Sequence, residues 1–182
     1  VPASFLAIAE GQVTVDPIIS TFAVDTRVGD KFQVDVSYDR SNDAFTYAYE
    51  RPFSAADYDV YQRTYSTSGV FQSGTFIEQT SEDWRQPSIA NLNAENTHLI
   101  VAVRRLANNR GEIVGRTLNA DTFARGPILL IGDATDWSNE RPDVGGNSTT
   151  TTGMSFLVTW ERRFTSTEFG PRMRTVRANS GM

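Results

Sequence analysis

The feature that most restricts what this 182-residue chain can fold into is that it repeats itself. A unit recurring every 40 to 55 residues or so fixes architecture before any local pattern does, because each unit buries its faces against its copies. Three anchors recur in the same order. Glu82-Asp83-Trp84-Arg85-Gln86-Pro87 is matched by the segment from Thr135 to Pro142, with Trp84 and Trp137 53 residues apart. Arg63-Thr64, Arg116-Thr117 and Arg174-Thr175 follow at spacings of 53 and 58. The most apolar runs, Phe45 to Glu50, Leu99 to Arg104 and Phe156 to Glu161, align Tyr49, Val103 and Trp160 at spacings of 54 and 57. Extra residues in the last copy fall between Ser138 and Gly153, where a tract from Asn147 to Thr152 suits a surface loop.

Within a copy the pattern is that of short strands. Phe45, Tyr47 and Tyr49 alternate with Thr46, Ala48 and Glu50, a period of two rather than 3.6. Leu99 to Val103 is apolar on both faces, as expected of a strand sandwiched between neighbouring sheets. The first copy predicts strands at Phe32–Tyr38, Ala44–Glu50, Tyr58–Tyr65 and Phe71–Gln79. The second predicts Ser88–Asn93, Thr97–Arg105, Gly111–Asn119 and Phe123–Ile131, with a hairpin turn at Asn108-Asn109-Arg110-Gly111. The third predicts Asp143–Gly145, Met154–Arg162 and Phe169–Val176, and stops one strand short.

The expectation is an all-β, β-propeller-like chain of about three four-stranded antiparallel blades. Residues 1–24 form an N-terminal strand segment, 25–79 the first blade, 80–132 the second and 133–182 an incomplete third. The missing edge is supplied either by the apolar stretch Ser4 to Glu10 or by another chain, since an unpaired edge is a liability. A three-bladed ring would be exceptional, so the expectation extends to an oligomer or a longer parent chain.

Composition closes off several chemistries. There is no Cys, so thiolate nucleophiles and Cys-ligated zinc are excluded, and any imidazole chemistry rests on His98 alone. The formal charge of -5 argues against a nucleic-acid partner. No apolar run is long enough to insert in a membrane.

The Phe156-Leu157-Val158-Thr159-Trp160-Glu161 run, the preceding Trp-to-Pro step and Tyr58-Asp59-Val60-Tyr61-Gln62-Arg63 resemble a repeat of large bacterial secreted and cell-surface proteins. That repeat has the pattern Leu-Val-Val-Trp-Glu … Asp-Ile-Tyr-Gly-Gln-Arg. The resemblance covers roughly residues 25 to 182, with Tyr49 and Val103 standing where tryptophan is expected. It implies propeller blades, an extracellular or cell-surface setting and an interaction role, and it names no reaction.

Residues that recur in every copy are expected to serve packing, since one site needs no copies. Trp84 and Trp137 read as packing residues with glycan stacking as the alternative, and Arg63, Arg116 and Arg174 as clamps on carboxylates or loop carbonyls. Ligand contacts are expected at blade-end loops, with Asp57, Asn109 and Asn147 beside the two tryptophans. His98, with Ala44 and Ser155 in the matching places, reads as a strand-edge histidine. Asp35, Asp39, Asp43, Glu50, Asp59 and Glu161 are the carboxylates that a glycoside hydrolase would draw on. No catalytic residue, cofactor or metal ligand is assigned. Calcium has weak support from the acidic turns Ser81-Glu82-Asp83 and Asp133 to Asp136. The functional expectation is a non-enzymatic scaffold for protein or glycan contacts. Its alternatives are a lectin or glycoside hydrolase and a subunit of a larger surface assembly.

Overall fold

The computed structural model describes residues 21–54, 57–134, 137–147, 149 and 155–178. The stretch Ser4 to Glu10, expected to close the last blade, lies outside the described residues.

Eleven strands form three antiparallel sheets. The first holds β1 (Phe32–Asp39), β2 (Ala44–Ser54), β3 (Asp57–Ser66) and β4 (Phe71–Phe76) in sequence order. The second repeats the meander with β5 (Asp83–Leu92), β6 (Thr97–Arg105), β7 (Gly111–Asn119) and β8 (Arg125–Gly132). The third has β9 (Ser138–Gly145), β10 (Ser155–Arg163) and β11 (Phe169–Arg177), with β11 as its outer edge. β5 and β9 begin five residues before the predicted Ser88 and Asp143. Pro87 and Pro142 read as strand breaks, but each sits in a β-bulge, where a missing donor costs little.

Those bulges are the most regular mark of the repeat. Gln33, Gln86 and Arg141 all adopt positive φ, at 46°, 55° and 52°, one in the first strand of each sheet. Residues with a Cβ are strained there, so the conformation has to be held from outside. The Gln86 amide donates to a Glu50 carboxylate oxygen at 2.6 Å, and the Arg141 amide to the Gln86 side-chain carbonyl at 2.8 Å. The second and third bulges are thereby each fastened to the sheet before them.

Aligning the bulges corrects the sequence register in two places. Val36 pairs with Tyr47, Ile89 with Ile100 and Val144 with Val158, so Tyr47, Ile100 and Val158 are counterparts. The residue equivalent to Tyr49 and Trp160 is therefore Ala102, one before the expected Val103. A one-residue slip in a strand exchanges its two faces. Leu99, Val101 and Val103 pack with Phe156, Val158 and Trp160 of the third sheet, while Ile100 and Ala102 pack with Ala48 and Val60 of the first. His98 is then the counterpart of Phe45 and Phe156, not of Ala44 and Ser155, and it is buried rather than at an exposed edge. Burial holds its imidazole well below the usual range, at about 4. Its Nε2 lies 3.3 Å from the Thr46 hydroxyl across the first sheet boundary.

The second correction concerns the tryptophans. Trp84 is 0% exposed and packs with Ile77, Ile89 and Val114, whereas Trp137 is 40% exposed and makes an edge contact with Phe164. The bulge register makes Asn139, not Trp137, the partner of Trp84. Asn139 is also fully buried, but it works by hydrogen bonds, donating to the Gly132 carbonyl and accepting from Trp160 Nε1 at 3.0 Å.

The arginine anchor needs no correction. Arg63 donates to the Val24 carbonyl at 2.6 Å, Arg116 to that of Ile77 at 2.7 Å and Arg174 to that of Ile131 at 2.9 Å. In each sheet the third strand thus holds the segment that ends just before that sheet begins. Guanidinium geometry suits this use, since one side chain reaches a carbonyl that the strand ladder leaves unpaired.

Candidate functional site

The first strands β1, β5 and β9 lie side by side along the middle of the stack. At the end where they begin, a cleft of about 390 Å³ draws residues from all three sheets. Gln33 comes from β1, Glu50 from the end of β2, and Asp83, Arg85 and Gln86 from β5. Arg105 closes β6, Asn109 sits in the turn after it, Ser138 and Glu140 open β9, and Arg163 ends β10. The bulges lie at this same end, and two of their positive-φ residues, Gln33 and Gln86, line the cleft.

The cleft's charges are matched. Arg85 holds Asp83 at 2.7 Å and Arg105 faces Glu140 at 3.5 Å. Arg85 also stacks on Tyr58, its guanidinium carbon 3.3 Å from the ring centre, which anchors it along its flat face. Glu50 is buried, and burial raises its carboxyl above the usual range, while the Gln86 amide and Arg85 partly offset that. The lining therefore combines fixed donors, fixed acceptors and one carboxyl biased toward its protonated form.

A smaller cleft at the same end, near the edge of the first sheet, is lined by Phe53, Asp57, Asp59, Phe76, Gln79 and Thr80. Burial, and then the charges of Asp57 and Glu78, push Asp59 up to about 7. Asp57, Asp59 and Glu78 each keep a buried oxygen without a hydrogen-bond partner among the described residues.

The expected site residues are thus dispersed. Asn109 reaches the central cleft, with its backbone at φ 62°. Asp57 belongs to the side cleft, and Trp137 stands on the surface next to Phe164. Trp84 is fully buried, so it offers no surface for the ligand contact expected of it. Asn147 lies at the opposite end, where its amide donates to Asn91 and its carbonyl accepts from Asn93, stitching the third sheet to the second. Asp35 is also structural: it accepts from Ser88 and from the Ile89 amide, both at 2.8 Å. Glu161 takes Arg141 at 3.1 Å. Asp39 caps the turn at Ser41 and Asn42, and Asp43 takes Tyr38 and Thr67. Among the six carboxylates that a glycoside hydrolase would draw on, Glu50 alone lines the central cleft.

Glu82 and Asp83 face Arg104 and Arg85, and Asp133 faces Arg162, so the acidic turns proposed for calcium already have cationic partners. Among the described residues no group of three His, Cys, Asp or Glu side chains is arranged to hold a metal ion. Asp136 lies outside the described residues.

No family model matches the sequence, and no curated protein matches it. Among solved structures, the fold is similar to the α-L-arabinofuranosidase PaAbf62A from Podospora anserina in complex with cellotriose. The identity is 9% and the TM-score 0.45, over 84% of this chain and 55% of that one. This chain thus spans little more than half the length of that enzyme.

Proposed function

We propose that this protein is a propeller-type recognition module that binds a neutral, hydroxyl-rich ligand, a glycan, in the central cleft. The observation that carries the reading is the balance of the lining: three arginines, Arg85, Arg105 and Arg163, against three carboxyls, Glu50, Asp83 and Glu140. A phosphate or polyanion site would keep cationic charge in excess, and a peptide-tail site would offer one unpaired charge. A sugar's hydroxyls donate and accept alternately, which suits side chains already held by one another. An extracellular or cell-surface setting accompanies this reading.

A hydrolytic reading draws on one further observation, the buried Glu50. A carboxyl with a raised pKa can deliver a proton to a glycosidic oxygen, and Asp83 and Glu140 share its cleft.

A glycan array followed by calorimetry tests both. Arg85→Ala and Glu140→Gln are expected to weaken binding of the array hit at least about tenfold, the loss of one good polar contact, with the circular dichroism spectrum of the folded chain retained. Binding that survives both substitutions, or a preference for sulfated or phosphorylated probes, rejects the glycan assignment. Turnover of aryl glycosides that Glu50→Gln abolishes would establish the enzyme.

A further inference from the structure

The sheets stack as an open row, and the two end faces are complementary. On each sheet one face meets the sheet before it and the other meets the sheet after it. In β1, Ser37 and Asp39 are buried toward the second sheet, leaving Val36 and Tyr38 outward. Val36 is 48% exposed, while its counterparts Ile89 and Val144 are 4% and 7% exposed. A largely apolar groove of about 350 Å³ runs along this open face, between Val24, Phe32, Val34, Tyr47 and Tyr49. At the other end of the row, Leu157 and Met173 are 44% and 72% exposed, although the matching Leu99 and Gln62 are fully buried. The chain already makes this type of contact twice, first sheet on second and second on third.

The outer edges agree with the faces. Among the described residues the third sheet has three strands, and β11 stands at its outer edge where β4 and β8 follow the third strand of the other two. Arg116 and Arg174 hold the carbonyls of Ile77 and Ile131, at the ends of the segments formed by those outer strands. Arg63 holds Val24 in the same way, and the Tyr65 hydroxyl donates to the same carbonyl at 2.6 Å. Phe22 packs on Tyr65 alongside. Val24 therefore stands where the outer strand of a preceding sheet would end.

We propose that the occupant of each open face is a second copy of this chain, placed head to tail. The Leu157–Met173 face of one copy covers the Val36–Tyr47 face of the other, at both ends of the pair.

Light scattering behind size exclusion, over a concentration series of the full 182-residue chain, is expected to give twice the 20.2 kDa of one chain. Val36→Arg and Met173→Arg each damage both contacts of the pair, so each variant alone is expected to run as a monomer with an unchanged circular dichroism spectrum. Mixed in equal amounts, they share one contact carrying both changes and one intact contact, and the doubled mass returns. A wild-type chain that stays at 20.2 kDa throughout the series overturns the proposal, as does failure of the mixture to restore the doubled mass.

Discussion

Trp84→Ala is expected to lower stability by about 3–5 kcal/mol, the range for removing a large buried aromatic, and to lower the urea midpoint without changing the fold. The indole is fully enclosed between the first two sheets, in one apolar cluster with Ile77, Ile89 and Val114. Its ring nitrogen has no hydrogen-bond partner among the described residues, so the loss is one of packing alone. Trp137→Ala, by contrast, removes one edge contact with Phe164 from an exposed position and is expected to cost about 1 kcal/mol or less. Urea denaturation of the two variants, side by side, checks the contrast. Equal losses would restore the equivalence that the sequence suggests and contradict the bulge register.

Asp59→Asn is expected to stabilise the protein, and to do so more as pH rises. Burial and the neighbouring Asp57 and Glu78 hold the folded-state carboxyl up to about 7, against roughly 3.9 in an unfolded chain. Between those values the folded state binds the extra proton, so the native protein loses stability as pH climbs from about 4 to about 7. Below that window both states are protonated and the amide has little to correct. Above it the substitution removes a buried charge and offers N–H donors to the unpartnered oxygens of Asp57 and Glu78. The expected gain at pH 8 is on the order of 2–4 kcal/mol, falling toward zero at pH 4. Melting curves of both proteins at several pH values report it, and a gain independent of pH would mean that Asp59 is ionised throughout.

The repeat was legible because packing rewards the same side chain at the same place in each sheet. The arginines were the best guide: a guanidinium that clamps a carbonyl tolerates no neighbour in its stead, so its spacing tracks the true register. The apolar run of β6 was a poor guide. Leu99 to Val103 faces sheets on both sides, and with every position apolar no alternation remains to show which residue matches Tyr49. Trp84 and Trp137 misled for a related reason, since two extra residues precede Pro142 and Asn139 fills the inner position by hydrogen bonding instead of bulk.

The central cleft was hidden more thoroughly. It joins short pieces of six strands and one turn, each of which reads alone as an ordinary strand end. Glu50 and Asn109 were singled out, but Asp83, Arg85, Gln86 and Glu140 were absorbed into the tryptophan anchor, and Arg105 gave no signal. The positive-φ bulges lie at the same end, and no residue type announces those at Gln33, Gln86 and Arg141.

The central claim is that one sheet design is built three times, with each third strand clamping the segment before its own sheet. Replacing Arg63, Arg116 and Arg174 by Ala one at a time, and measuring urea midpoints, tests it most directly. The account predicts a loss at all three positions of about 1–3 kcal/mol, as for a charged donor withdrawn from a backbone carbonyl, smallest at the more exposed Arg174. Unchanged midpoints at two or more of them would contradict it.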